Sequence, residues 1–154
     1  MADLTGMDAR PGAVRGAVWS LVIGALMLAA GGLITAAVSF DTLRLVAPES
    51  VPDETIRSSL WLYRGVGLLF ALGAAALVSL TVRAGRRDVR FRRATMALAL
   101  ALTVIVAIAA AFIGTHILAL LSLVPIVVGT MLLSRPAVVA WFAGAPDPEA
   151  GPHE

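Results

Sequence analysis

The 154-residue chain is too apolar to cover the surface of a soluble domain, since 59% of its residues are hydrophobic and 14% are charged. Ordinary soluble domains run at roughly 45–50% and 25%, so one membrane-embedded domain is expected. The sequence pI of about 10.4 exceeds what a net charge of +2 suggests, because every basic residue is arginine, which holds its proton to higher pH than lysine. The pI is therefore no sign of nucleic-acid binding. The chain has no cysteine, which excludes disulfides, thiol catalysis and Cys-ligated metals.

Four apolar stretches are each long enough to cross a hydrocarbon core of about 30 Å, which takes about 20 helical residues. These predicted spans lie at about 16–40, 60–82, 95–113 and 117–134. The last two come from one apolar block that must fold back, and Gly114–His116 offers the turn. Residues 96–103 alternate with period two, but an open sheet edge in lipid would leave backbone groups unpaired. The sequence therefore predicts an all-α fold, an integral membrane four-helix bundle.

The pattern also divides the chain into three parts. Residues 1–13 form a short N-terminal segment, 14–135 the transmembrane domain, and 136–154 an interfacial segment followed by a Pro- and acid-rich tail that is expected to be disordered. The first apolar stretch is much longer than the roughly 7–15-residue apolar region of a signal peptide, so it is interpreted as a retained span. The second helix is expected to begin near Pro52.

Arginine placement predicts the orientation. Most arginines lie before the first span, between the second and third, and after the fourth, whereas the first loop has only Arg44 and Arg57. This asymmetry predicts an inner (plasma) membrane protein with both termini and the basic loop in the cytoplasm.

Small residues recur at intervals of four along three spans, as expected where helices pack closely in lipid. The stripes are Gly16, Ser20, Gly24, Gly32 and Ala36; Gly67, Ala71, Ala75 and Ser79; and Ala99, Thr103, Ala107 and Ala111. In the fourth span, Pro125 predicts a kink.

Arg64 is the charged residue inside the apolar run "LWLYRGVGLLF". Trp61 and Tyr63 indicate that this part of the span lies at the outer membrane interface. On a helical wheel Arg64 falls close to Ala71 and Ala75 and so is expected to face a neighbouring helix. Asp41, at the outer end of the first span, is the candidate partner for a structural ion pair; a site for an anion or lipid head group is the alternative.

Six arginines lie in and beside the loop between the second and third spans: Arg83, Arg86, Arg87, Arg90, Arg92 and Arg93. Arginines in this position set topology and contact anionic lipid head groups, so lipid is the expected partner and nucleic acid is not. His116 is interpreted as a polar turn residue, because no second histidine or acid lies near it to complete a metal site.

No Asp or Glu lies inside a span, whereas ion-coupled transporters and proton relays depend on such groups. The sequence also shows no nucleophile–base pair, phosphate-binding loop or metal constellation, so neither an enzyme nor a cofactor is expected. The leading hypothesis is a structural or accessory membrane component that acts through membrane protein partners, a second copy included. A small oligomeric transporter or channel is the alternative, although the spans offer only scattered hydroxyls to line a pore.

The segments "LWLYRGVGLLFALGAAAL", "RRDVRFRRAT" and "LLSLVPIVVGTMLLSRPAVVAWF" follow one another in an arrangement that resembles the small four-span conserved membrane proteins of actinobacteria, especially mycobacteria and their relatives. The resemblance covers nearly the whole chain after residue 12. It implies a four-span membrane protein and carries over no functional residue.

Overall fold

The computed structural model describes residues 12–84, 89–114 and 116–143, and within these ranges the fold is all-helical, without strands. The helices are α1 (Gly12–Ala36), α2 (Phe40–Val46), α3 (Asp53–Ala84), α4 (Val89–Phe112), α5 (Ile117–Leu121), α6 (Leu123–Leu133) and α7 (Pro136–Ala143). The predicted all-α class is confirmed. The N-terminal segment up to residue 11 and the tail after residue 143 lie outside the described residues.

Among the described residues, α1, α3 and α4 are each long and apolar enough to cross a membrane. A fourth candidate is broken: α5 and α6 together with α7 pass the same test, but α7 is bent by 66° from the preceding helices. Large apolar side chains are exposed along these helices, for example Leu26, Leu72 and Val104. Apolar surface of this extent is a mark of contact with a membrane or a partner.

Helix α1 is the centre of the structure, with its most extensive contacts to α3 and α6. Its neighbours run antiparallel to it: towards α3, Gly32 lies by Phe70 and Ala36 by Gly67, and towards α5 and α6, Gly31 lies by Ala119 and Gly16 by Leu132. Helix α4 packs antiparallel against α3, since Gly73 lies by Leu102 and the Tyr63 hydroxyl donates to the Ile113 carbonyl oxygen at 2.9 Å.

Glycines let these backbones approach closely. A Cβ added to Gly31 would lie 2.6 Å from the backbone nitrogen of Ala119, and one on Gly32 would lie 2.7 Å from the carbonyl oxygen of Gly67. On α3, a Cβ at Gly67 would lie 2.5 Å from the backbone nitrogen of Ala36. Contacts to backbone atoms cannot be relieved by a rotamer change, so each position requires glycine at the observed helix separation.

The small-residue stripe on α1 is confirmed as a packing surface that serves two neighbours. Ser20 and Gly24 contact α6, whereas Gly32 and Ala36 contact α3. The stripe predicted on α3 is confirmed as an internal packing surface at Gly67, whereas Ala75 and Ser79 are exposed and take no buried place within the chain. The same holds for α4, where Ala99 is buried but Ala107 and Ala111 are exposed. In both helices the buried face also carries large side chains, among them Phe70 and Leu77 on α3 and Leu102 and Val106 on α4.

The helix ends differ from the predicted spans in two places. The first span was expected to continue to residue 40, but α1 ends at Ala36 and Phe40 begins α2. The cause is local: the Ser39 hydroxyl oxygen accepts a hydrogen bond from the Thr42 N–H and caps a new helix. The fourth stretch is interrupted at Ser122, one turn before Pro125, which has no N–H to bond the Leu121 carbonyl.

Helix α4 begins at Val89, ahead of the third predicted span at about 95, whereas other helix ends lie close to their predicted positions. Helix α3 begins one residue after Pro52. Helix α4 ends at Phe112 and α5 begins at Ile117, and between them Gly114 has a φ of 78°, a left-handed conformation that favours glycine.

Most hydroxyl groups within the long helices bond their own backbone. Thr35, Thr81 and Thr103 each donate to the carbonyl oxygen four residues earlier. Ser20 differs, since its hydroxyl donates to the Pro125 carbonyl oxygen at 2.8 Å and joins α1 to α6.

We expect Gly67→Ala to lower the thermal stability of the purified protein, because overpacking against the α1 backbone costs about 1–3 kcal/mol. Gly65→Ala is the matched control on the same helix, since an added Cβ there meets nothing within 4 Å. Thermal unfolding in detergent, followed by intrinsic fluorescence, compares the two. Equal stability of both variants would contradict the close α1–α3 contact.

Ser20→Ala should also destabilise the protein, by about 0.6 kcal/mol, the average for interhelical hydrogen bonds in membrane proteins. Ser79→Ala is the control, because the exposed Ser79 hydroxyl donates to Ala75 on its own helix. Reversible unfolding in mixed micelles measures the difference, and a loss in Ser79→Ala as large as in Ser20→Ala would exclude a special role for the α1–α6 bond.

Candidate functional site

The antiparallel packing creates two chemically different ends. One, the α2 end, consists of the C-terminus of α1, helix α2, the N-terminal part of α3 and the turn between α4 and α5. The other, the arginine end, carries Arg15, Arg83, Arg90, Arg92, Arg93 and Arg135 on the opposite termini of these helices. The structure thus gathers six of the nine described arginines, from separate parts of the sequence, at one end.

At the α2 end, helix α3 extends beyond its neighbours. Gly67 lies beside the last residue of α1, and Tyr63 beside the end of α4. The ten residues before Tyr63 therefore project by about 15 Å at 1.5 Å per residue. Helix α2 packs on this projection, and the Arg44 guanidinium ties the connection down by donating to the Val51 carbonyl oxygen and pairing with Asp53 at 3.5 Å.

Two adjoining cavities lie beneath α2. One, of about 220 Å³, is lined by Leu43, Val46, Ala47, Val51, Thr55, Ile56, Ser59 and Tyr63. The other, of about 540 Å³, is lined by Ile34, Thr35, Val38, Val46, Tyr63, Gly114 and His116. Because Val46 and Tyr63 line both, we treat the cavities as one feature, the α2 groove.

The polar side chains around the α2 groove are largely satisfied within the protein. Tyr63 donates to Ile113, Thr35 to Gly31 and Ser59 to Thr55, each through its hydroxyl to a backbone carbonyl oxygen. His116 accepts the Leu118 N–H at Nδ1 and caps α5, as a polar turn residue was expected to do. The fifth polar side chain, Thr55, is exposed.

The structure does not bring Arg64 and Asp41 together: among the described residues neither takes part in an ion pair within 4.0 Å. Both side chains are exposed. Arg64 shares the exposed face of α3 with Ala75, because α3 turns its Gly67 and Phe70 face to α1. The ion pair that forms at this end instead joins Arg44 and Asp53.

At the arginine end, two of the predicted head-group contacts stack on aromatic rings. The guanidinium carbon of Arg83 lies 5.9 Å from the centroid of Phe91, and that of Arg92 lies 5.9 Å from the centroid of Phe142. Such contacts are worth about 0.5–1 kcal/mol at exposed sites. Arg90 and Arg93 are exposed, whereas Arg86 and Arg87 lie outside the described residues.

Helix α7 is docked at the arginine end rather than extending away from it. Val138 and Phe142 are buried in the core cluster, and Trp141 packs edge-on against Phe142 with ring centroids 4.9 Å apart. Arg92 covers the Phe142 ring from α4, and its Nε is buried with no hydrogen-bond partner. The cation–π contact therefore links α4 to the C-terminal helix.

Sequence reasoning missed α2 and with it the groove. The available signal was Ser39 before a short segment with Asp41 in its first turn and Arg44 in its last, a pattern that suits a capped helix and its dipole. No three His, Cys, Asp or Glu side chains of the described part of the chain are placed to hold a metal ion. Comparison with protein-family models, curated proteins and solved structures gives no match.

Phe142→Ala should loosen α7, because it removes a buried ring that both Trp141 and Arg92 contact. We expect faster amide hydrogen exchange across residues 136–143, measured by mass spectrometry. Val139→Ala, at an exposed position of the same helix, should leave exchange nearly unchanged. Equal protection in both variants would show that the aromatic contact does not hold α7.

Proposed function

We propose that the chain is a polytopic inner-membrane protein with four transmembrane helices and cytoplasmic termini, and that it acts as a structural or accessory component through contact with another membrane protein, a second copy included. Helices α1, α3 and α4 supply three spans, and α5 with α6 supplies the fourth, broken at Ser122. The arginine end then faces the cytoplasm and anionic lipid head groups.

The outer face of α3 is the observation that carries the partner hypothesis. It combines an unpaired cation, Arg64, with small residues that none of the described helices covers: Gly65, Ala75, Ala76 and Ser79 are all exposed. An added Cβ on Gly65 would meet nothing within 4 Å. In membranes, small residues concentrate where another helix approaches, and charged residues face partners or water rather than lipid.

The alternative, a small oligomeric transporter or channel, would need a polar path. The buried hydroxyls of Thr35, Thr81 and Thr95 each bond a carbonyl of their own helix, and no charged residue lies in the buried core of the described helices. These features favour a packing role over a conducting one.

A photocrosslinker placed at Leu72, the most exposed apolar residue in the middle of the α3 outer face at 69% exposure, tests the partner hypothesis in native membranes. We expect a discrete protein adduct, which mass spectrometry would identify as a second copy or another membrane protein. Met131, equally exposed on α6, is the control position and should give lipid adducts alone. Lipid adducts alone at both positions would contradict the proposal, and selective solute flux through vesicles holding the purified protein would support the alternative.

A further inference from the structure

The α2 groove has the size of a ligand site. Its larger cavity, about 540 Å³, falls within the roughly 300–1,000 Å³ typical of sites for small molecules. The smaller cavity of about 220 Å³ continues it along the projecting part of α3. Val46 and Tyr63 line both cavities, so the two adjoin.

The lining chemistry selects an apolar occupant. None of the residues that line the groove is charged. The hydroxyls of Tyr63, Thr35 and Ser59 already donate to backbone carbonyl oxygens. Apart from the Thr55 hydroxyl and the His116 Nε2, the lining offers a polar ligand or a peptide backbone few partners in exchange for lost water, which is costly, whereas a hydrocarbon chain needs none.

The groove is continuous with surface that faces lipid. Ile34 lines the larger cavity and is exposed on α1 beside Leu33. On α2, Leu45 and Val46 are 87% and 78% exposed. Placing these side chains in water rather than in lipid would cost about 25 cal/mol per Å² of apolar area. A short helix with such side chains is suited to the boundary between head groups and acyl chains.

We propose that the α2 groove holds an acyl chain of a membrane lipid, drawn laterally from the leaflet at the α2 end. This assignment rests on the proposed membrane-spanning arrangement. The chain would enter past Ile34 and lie beneath α2 along Val46 and Tyr63. The lipid is defined here by its hydrocarbon chain, since the groove itself presents no charge to select a head group.

The test uses the purified full chain in lipid nanodiscs that contain a phosphatidylcholine with a photoactivatable diazirine on its acyl chain. After irradiation, proteolysis and mass spectrometry locate the adducts. We expect severalfold more labelling at Ile34, Val38 and Val46 than at Leu26, which is exposed on α1 outside the groove. Uniform labelling of all exposed apolar positions would overturn the proposal, because it would describe ordinary lipid contact.

A matched pair of variants tests whether the enriched labelling comes from an acyl chain held in the groove or from simple exposure of the labelled residues to lipid. Val46→Trp enlarges one of the two side chains that line both cavities and should abolish the enrichment at Val38, whereas Leu26→Trp should leave it intact. Circular dichroism and elution volume check that both variants fold. Persistent enrichment in folded Val46→Trp would overturn the assignment.

Insertion into the nanodisc, measured by co-elution with the scaffold protein, distinguishes failure of the groove assignment from failure of the proposed membrane-spanning function. If the protein inserts and labels uniformly, the groove assignment fails and the proposed function stands. If it does not insert, the membrane-spanning function fails, and the groove assignment fails with it.

Discussion

The close approach of α1 to its neighbours is the constraint on which the rest of the structure depends. Gly31 and Gly32 are adjacent on α1, yet one meets the backbone of Ala119 on α5 and the other that of Gly67 on α3. In lipid, helices gain little from burying apolar surface against one another, so van der Waals packing between closely spaced backbones takes over. Adjacent glycines thus let a single helix pack closely against two partners.

The antiparallel order set by these contacts determines which residues lie together at each end of the helices. It collects arginines from four helix termini at one end and places α2, the projecting part of α3 and the α4–α5 turn at the other. The first end is charged and docks α7 through the Arg92–Phe142 contact. The second carries charges of both signs on its surface and forms a groove whose lining has no acidic residue and no arginine. These ends, the exposed apolar flanks and the hydroxyls that mostly bond their own helices are the basis for proposing contacts with lipid and protein rather than conduction.

Much of the fold could be predicted because composition and periodicity act locally. The apolar stretches, the turn at Gly114, the start of α3 after Pro52 and the packing stripe on α1 all depend on properties that neighbouring residues share. The side on which α3 meets α1 could not be predicted, because Gly67 belongs both to the small-residue stripe and to the Phe70 face, and only the three-dimensional packing chooses between them. The outward orientation of Arg64 follows from that choice and could not be predicted either. The same is true of the ion pair, which contains Asp53 rather than Asp41. Helix α2 was missed because seven residues give too little periodicity to stand out.

The absence of cysteine allows a direct test of the central claim that α1 holds its neighbours antiparallel across a membrane, with the arginine end and the α2 end on opposite faces. Single cysteines at Ser50, near α2, and at Ser134, at the arginine end, are exposed positions for a membrane-impermeant maleimide. Intact cells should label Ser50→Cys, and Ser134→Cys should react only after permeabilisation. Labelling of both positions from the same side of the membrane would contradict the account.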